Sequence, residues 1–234
     1  MSTFVPMRYL GLATACVLLA ACNGSVNEDI EVNAGESYSG TAMTVNGDVR
    51  VGDDAQAGDS NFRTVNGKIK VGDRASVNDC ATVNGTLDFG EGIEAGDLET
   101  VNGNLRLGQD AVVKGHIQVV NGYVEIEKGS RVAGYIKTVN GKIRLTGTRV
   151  EGDLTNVNGG MLVTEGSVVE GDLLVKDPGE DRHSRRPRIV IGPDSVVEGD
   201  LVFERPVDLY VHDSARIGEI SGAEAITFSG DDPS

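Results

Sequence analysis

The sequence predicts an all-β fold, a single-stranded parallel β-helix (solenoid) with three faces. The main observation is the four-residue phrase Thr-Val-Asn-Gly, which recurs with its variants along most of the chain. Between the phrases, apolar residues stand two apart in short runs, which is the pattern of a strand with one buried face. Ten of the 234 residues are aromatic and 32 are glycine. That composition suits a narrow core of Val, Ile, Leu and Ala.

The phrase repeats at a nearly constant interval. Its successive asparagines are separated by about 18–20 residues, and a short, steady period is the signature of a solenoid. Asparagine and glycine both tolerate the left-handed backbone conformation of a sharp turn, so we expect them at corners of the coil. The predicted corner residues are Asn46, Gly47, Asn66, Gly67, Asn84, Gly85, Asn102, Gly103, Asn121, Gly122, Asn140, Gly141, Asn158 and Gly159.

Each coil contains three apolar runs. In one coil, Ile69 and Val71 form the first run, Ala75 and Val77 the second, and Cys80 begins the third. The pattern extends over residues 29–220 as about nine to ten coils of 18–20 residues, which gives a rod roughly 45 Å long at ~4.8 Å per coil. The general crossover preference favours a right-handed coil.

Within the phrase, we expect the valine to point into the core and the threonine to point outward. The outward threonines would then form a ladder beside the asparagine corner, and regular threonine arrays are typical of ice-binding β-helices. The members of this predicted ladder are Thr44, Thr64, Thr82, Thr100 and Thr138.

A column of charged residues favours one stacking register. Between the first two apolar positions of successive coils stands a charged residue, and four of the five neighbouring pairs in this column have opposite sign. Unlike charges on neighbouring strands attract. We interpret the column as solvated surface. Its members are Arg50, Lys70, Asp88, Arg106, Glu125 and Arg144.

The amino terminus has the organisation of an export signal. Residues 1–8 end in Arg8, and residues 9–21 are an apolar run of 13 residues, shorter than the ~20 residues that a membrane-spanning helix needs. Residues 1–21 are therefore predicted to be a cleaved signal peptide.

The end of that run, Leu19-Ala20-Ala21-Cys22, resembles the lipobox of bacterial lipoproteins. The resemblance implies cleavage before Cys22 and lipid attachment to it, with residues 22–28 as a tether. Several acyl chains would anchor the protein durably. Asn23 is not the aspartate that resembles an inner-membrane retention signal, so we expect the outer membrane; the sequence leaves open whether the rod faces the periplasm or the surface. With Cys16 in the signal peptide, Cys80 has no partner for an intrachain disulfide, and we expect it in the core.

Two segments depart from the repeat. Residues 176–187 contain two prolines and dense charge, which indicates a loop that projects from the rod. Its basic residues form a candidate interaction loop, although a tolerated surface insertion is the alternative. The residues concerned are Arg182, His183, Arg185 and Arg186. Residues 221–234 are predicted to be a carboxy-terminal cap and flexible tail.

The coils at residues 166–174 and 192–202 share the phrase Ser-Val-Val-Glu-Gly-Asp-Leu. They resemble bactofilins, the polymer-forming bacterial scaffolds, while the Thr-Val-Asn-Gly phrase resembles bacterial adhesin domains built from β-strand repeats. The resemblance implies a scaffold or adhesion protein that can associate with itself. Bactofilins are cytoplasmic, however, and this chain carries a predicted export signal.

Three kinds of catalytic site can be compared with the sequence. Hexapeptide acyltransferases are also β-helices, and His116 would be the candidate base, but the uneven spacing of the phrases breaks their strict six-residue phase. Pectate-lyase-like enzymes need clustered carboxylates with calcium, for which a corner could serve. Nucleophilic catalysis lacks a partner for Cys80. The carboxylates of that corner are Asp53, Asp54, Asp73, Glu91 and Asp110.

The formal net charge of −15 argues against nucleic acid and anionic surfaces as partners. The sequence thus predicts a non-catalytic envelope lipoprotein without a cofactor, which acts as a scaffold or an adhesion module. Its expected partners are the membrane through its lipid, and itself, an envelope protein or a polysaccharide. The alternative is a protein that binds or processes polysaccharide, with calcium as a candidate ligand.

Overall fold

In the computed structural model, the described residues are 24–179, 186–230 and 232–233. They form an all-β solenoid of about 10 turns, and they contain no helix. Three parallel sheets run along the axis, one on each face. The fold class and the three faces predicted from the repeat are therefore confirmed, whereas the right-handed sense of the coil stays a prediction.

Sheet A contains 11 strands. Each Thr-Val-Asn-Gly phrase overlaps or directly follows one of them. In axial order the strands are Gly24–Ser25, Thr41–Thr44, Asn61–Thr64, Cys80–Asn84, Leu98–Asn102, Ile117–Asn121, Ile136–Asn140, Leu154–Asn156, Leu173–Val175, Leu201–Phe203 and Ile220–Ser221.

Sheet B also contains 11 strands, each following the corner after a sheet A strand. In axial order they are Ile30–Val32, Val49–Val51, Ile69–Val71, Leu87–Phe89, Leu105–Leu107, Val124–Ile126, Ile143–Thr146, Met161–Thr164, Arg188–Ile191, Asp208–His212 and Ala225–Phe228.

Sheet C contains nine strands, all of two residues. In axial order they are Gln56–Ala57, Ser76–Val77, Glu94–Ala95, Val112–Val113, Arg131–Val132, Arg149–Val150, Val168–Val169, Val196–Val197 and Arg216–Ile217.

Equivalent residues of successive coils pair with each other. Leu98, for example, pairs with Cys80 in the coil before it and with Ile117 in the coil after it. In sheet B strands such as Ile69–Val71, the first and third residues are buried and the middle one is exposed. The interior is therefore a stack of aliphatic side chains. Coils of unequal length keep one register because their extra residues lie at corners.

The left-handed residues lie at a different corner from the predicted one. Asp54, Arg74 and Asp110 have φ angles of 57°, 55° and 55°, and each stands between a sheet B strand and a sheet C strand. Among the seven Asn-Gly pairs, only Gly122 has a positive φ, of 154°. The expectation that Asn-Gly supplies left-handed turns is therefore wrong; these pairs lie between sheets A and B for another reason.

Both ends of the solenoid include segments that the sequence assigned elsewhere. Gly24 and Ser25, which lie within the segment predicted to be a tether, pair with Met43 and Thr44. The strand Ala225–Phe228, which lies within the predicted cap and tail, pairs with Leu209 to His212. The insertion at residues 176–187 stands at the corner between sheets A and B, because the chain leaves sheet A at Val175 and resumes in sheet B at Arg188.

Candidate interaction surfaces

Several residues of the predicted site fall outside the described residues. These are the signal peptide with Cys22, and Arg182, His183 and Arg185 of the loop. Arg186 is described and exposed, with its Nη1 3.8 Å from Oδ1 of Asp208. None of the described residues forms a helix that is long and apolar enough to cross a membrane.

The threonine of the repeated phrase is buried, so the predicted outward ladder and the ice-binding hypothesis are wrong. Thr100 is 2% exposed because strand alternation places it on the same side as Leu98. Its Oγ1 donates to the carbonyl oxygen of Gly85 at 3.2 Å. Val101, in contrast, is half-buried on the outer side. The expectation that this valine points inward is also wrong.

The same hydrogen bond recurs along the rod, since the hydroxyls of Thr44, Thr64, Thr82 and Thr100 each donate to a backbone carbonyl of the preceding coil, whereas that of Thr138 has no partner. In the variant phrase at residues 156–159, Asn156 takes over the role and donates from Nδ2 to the carbonyl oxygen of Gly141 at 2.9 Å. The remaining bonds are Thr44 to Glu28 at 2.9 Å, Thr64 to Gly47 at 2.9 Å and Thr82 to Gly67 at 3.1 Å.

Close stacking explains why glycine ends the phrase. A Cβ atom on Gly103 would overlap with the carbonyl oxygen of Gly85 in the coil below. The equivalent atom on Gly85 would overlap with the carbonyl oxygen of Gly67. Glycine is therefore required here for the approach of one backbone to the next, and not for a left-handed conformation.

The asparagines form a continuous hydrogen-bonded ladder on the surface. The Nδ2 of each asparagine donates to the Oδ1 of the asparagine one coil earlier. The bonds run from Asn46 to Asn27 at 2.8 Å, Asn66 to Asn46 at 2.9 Å, Asn84 to Asn66 at 2.8 Å, Asn102 to Asn84 at 2.9 Å, Asn121 to Asn102 at 2.7 Å, Asn140 to Asn121 at 2.7 Å and Asn158 to Asn140 at 3.0 Å.

Arg205, which the sequence did not single out, terminates this ladder. It is 6% exposed, and its Nη1 donates to Oδ1 of Asn158 at 2.9 Å and to the carbonyl oxygen of Val157 at 3.2 Å. The coil between them has no asparagine at this corner, because the insertion of residues 176–187 stands there. Arg205 stands two coils after Asn158, and because the insertion lies between them, the period of the repeat gave no signal for it.

The charge column of sheet B has the predicted register, in which Arg50 pairs with Lys70 and Arg106 with Glu125. Oε1 of Glu125 lies 3.4 Å from Nη1 of Arg144, and its Oε2 lies 3.8 Å from Nε of Arg106. At the start of the column, the Arg50 guanidinium donates to Asp29 at 2.6 Å. That bond holds the pKa of the Asp29 carboxyl below its ordinary value.

The acidic corner uses its carboxylates as hydrogen-bond acceptors for the backbone. Oδ1 of Asp53 accepts the backbone N–H of Asp73 at 2.9 Å, and Oδ1 of Asp73 accepts that of Glu91 at 2.9 Å. Asp54 accepts from the Arg74 guanidinium, which lowers the pKa of its carboxyl. The described residues contain no group of three or more His, Cys, Asp or Glu side chains arranged to hold a metal ion.

His116, the candidate base, lies in a cluster on the corner between sheets C and A. Its Nδ1 is 3.0 Å from Oδ1 of Asp97, and its Nε2 is 3.8 Å from Oε1 of Glu99. The ring stacks on that of Tyr135, with the centroids 4.6 Å apart. Partial burial, together with the carboxylates of Glu99 and Asp97, raises the pKa of Tyr135.

Cys80 is fully buried, as predicted, and among the described residues it has no disulfide partner. Burial raises the pKa of its thiol far above the ordinary value, so the reactive thiolate does not form at neutral pH. The side chain behaves as a small hydrophobe in the sheet A stack.

The described part of the loop contacts the next coils and the end of the chain. The backbone N–H of Asp177 donates to Oε2 of Glu204 at 3.1 Å. Arg188, which follows the loop, donates to the carbonyl oxygen of Pro233, and its guanidinium lies 5.0 Å from the centroid of the Tyr210 ring. Asp232 and Pro233 therefore lie against the outer side of sheet B.

No protein-family model, no curated protein and no solved structure matches this chain.

Proposed function

We propose that the chain is a non-catalytic lipoprotein of the bacterial cell envelope, anchored to the outer membrane through Cys22, in which the solenoid is a scaffold or adhesion module. The observation that carries the proposal is the position of the first strand. Gly24 and Ser25 pair with the next coil, and Asn23 alone separates Cys22 from them. A lipid on Cys22 would hold the first coil close to the membrane surface, and the rod would present its sides to other molecules.

The sides of the rod suit contact with extended partners. Exposed polar and charged side chains form straight columns, because every coil repeats the same corners and strands. Columns with ~4.8 Å between equivalent residues give a partner many weak contacts rather than one deep site. A second candidate function, polysaccharide binding, is favoured by the cationic coils in the middle of the rod.

The anchor is tested by fractionating cells that express the full chain. We expect the native chain to be labelled by palmitate. We also expect it in the membrane fraction, because its acyl chains would bury many methylene groups in the bilayer. We expect Cys22→Ser to lose both properties. The matched control is Cys80→Ala, which changes a buried cysteine and should still partition with membranes. Membrane partition of Cys22→Ser with undiminished labelling would contradict the anchor.

A further inference from the structure

Charge is distributed unevenly along the rod. Residues 24–110 contain six Lys or Arg and 16 Asp or Glu, a net charge of −10. Residues 111–150 contain seven Lys or Arg and two Asp or Glu, a net charge of +5. Residues 151–234 contain seven and 18, a net charge of −11. A cationic segment, residues 111–150, therefore separates two acidic segments; we call it the central belt.

The central belt is about two coils high, which corresponds to ~10 Å along the axis. Its cations are distributed around the rod, with Lys137 on sheet A and the others on sheets B and C and at the corners between the sheets. Six of the seven are exposed: Lys114, Lys128, Arg131, Lys142, Arg144 and Arg149.

The carboxylates near the belt do not neutralise it. Lys114 pairs with Glu94 at 2.7 Å, and the two arginines of sheet C pair with carboxylates of the following coils. Glu125 is shared between Arg144 and Arg106. Lys128 and Lys142 form no ion pair with any described residue. Positive charge is therefore in excess at the two lysines and beside Arg144.

Aromatic and amide groups lie in the same two coils. The Arg106 guanidinium stands 5.0 Å from the centroid of the Tyr123 ring. Tyr135, 38% exposed, stacks on His116, and Gln118 lies nearby on sheet A, with its Nε2 3.4 Å from Glu99. Aromatic rings with a polar edge supply apolar contact and hydrogen bonds together, and guanidinium and ammonium groups bind carboxylates. This combination fits an acidic sugar.

The height of the belt selects a narrow partner. At physiological ionic strength the screening length is ~8 Å, similar to the height of the belt, so a thin polymer that crosses the rod there is attracted by the belt more than it is repelled by the acidic segments. A second rod lying alongside would place acidic segments against acidic segments in both the parallel and the antiparallel orientation, because the belt is central.

We propose that the central belt binds a linear acidic polysaccharide. The acidic polysaccharide is the partner class of the interaction module proposed above. This inference rests on that proposed function, because the envelope location is what brings the protein into the same compartment as such a polymer. Lys128, Lys142 and Arg144 would contact the carboxylates of the polymer. Tyr123, which directly precedes a sheet B strand on the same side of the rod, would contact its sugar rings.

The test measures binding of a fluorescent polygalacturonate fragment to the full chain in detergent, at about 0.1 M salt, where the screening length is ~10 Å. The belt variant is Lys128→Glu with Lys142→Glu. The matched control is Lys68→Glu with Lys70→Glu, which reverses two exposed lysines of the amino-terminal acidic segment and changes the net charge equally. We expect the belt variant to weaken binding about tenfold or more and the control about twofold or less.

Neutral dextran of similar length should not compete. The proposal would be overturned if polygalacturonate did not bind, or if both variants weakened binding equally. It would also be overturned if the belt variant altered only the sedimentation of the protein without polysaccharide, because a second copy of the chain would then occupy the belt. The assay needs no membrane. Membrane partition and undiminished palmitate labelling of Cys22→Ser, together with retained polygalacturonate binding, would therefore count against the envelope function alone.

Discussion

In the phrase at Thr100 to Gly103, three residues hold one coil on the next by three different contacts. The threonine hydroxyl donates to a carbonyl oxygen, the asparagine amide donates to the asparagine below, and glycine permits the close approach that brings both within reach. The phrase is therefore a stacking device. The buried threonine is tolerated in an apolar interior because its hydroxyl has an acceptor.

The threonine contact can be tested at positions that differ in one hydrogen bond. Thr100→Val removes the donor to Gly85 and leaves the shape of the side chain unchanged. We expect a loss of about 1 kcal/mol in the free energy of unfolding, measured by urea denaturation. Thr138→Val is the matched control: Oγ1 of Thr138 is buried and has no hydrogen-bond partner, so this variant should cost nothing or stabilise. Equal losses in both variants would show that the hydroxyl contributes only through packing.

The repeat predicted the strands well and the polar interior poorly. Ile69 and Val71 alternate with an exposed lysine, and this local pattern is sufficient to assign a strand and its buried face. The acceptor for Thr100 is a carbonyl 15 residues earlier, in another coil. Because the local sequence does not show this acceptor, the polarity of threonine led to the prediction that it faces outward. Asn and Gly favoured a left-handed turn, yet the coil places that conformation at Asp54 and Arg74.

At the scale of the element, the insertion interrupts one corner and Arg205 bridges the gap. Asn158 is 47 residues before Arg205, so no sequence period relates the two. The long guanidinium side chain reaches across the coil from which the loop leaves. Arg205 therefore supplies a hydrogen-bond donor to Oδ1 of Asn158, the last asparagine of the ladder.

Arg205→Met tests the bridge, because methionine keeps much of the length and removes every donor. We expect the free energy of unfolding to fall by about 2 kcal/mol, since Val157 and Asn158 would each lose a charged donor. Arg216→Met, at an exposed position of sheet C, is the control and should change the value by less than about 0.5 kcal/mol. If both substitutions have the same small effect in urea denaturation, the bridge contributes nothing to stability.

At the scale of the whole molecule, each coil is stabilised by its two neighbours. Strand partners lie one coil apart, as Asn102 and Asn121 do, so stability depends on the number of stacked coils more than on any long-range closure. The rod can therefore change length by whole coils without a change in its corners.

Deletion of residues 104–122 removes one whole coil and joins Gly103 to Tyr123. We expect this variant to fold into a rod shorter by ~4.8 Å and to unfold at a lower urea concentration, as measured by small-angle scattering and circular dichroism. Deletion of residues 104–113 removes half a coil and puts sheet A residues in the place of sheet B. This variant should lose the cooperative β-sheet transition, and its normal folding would contradict whole-coil register.

The asparagine ladder also gives the rod a dipole along its axis. A guanidinium group has no acceptor, so Asn158 must present its Oδ1 to Arg205 and turn its Nδ2 toward Asn140. That choice fixes the orientation of every amide down to Asn27. Their dipoles are then parallel and add, as peptide dipoles add in a helix, and each bond polarises the next. The negative end is held by the arginine, and the positive end is at Asn27, which Glu28 and Asp29 follow in the first coil.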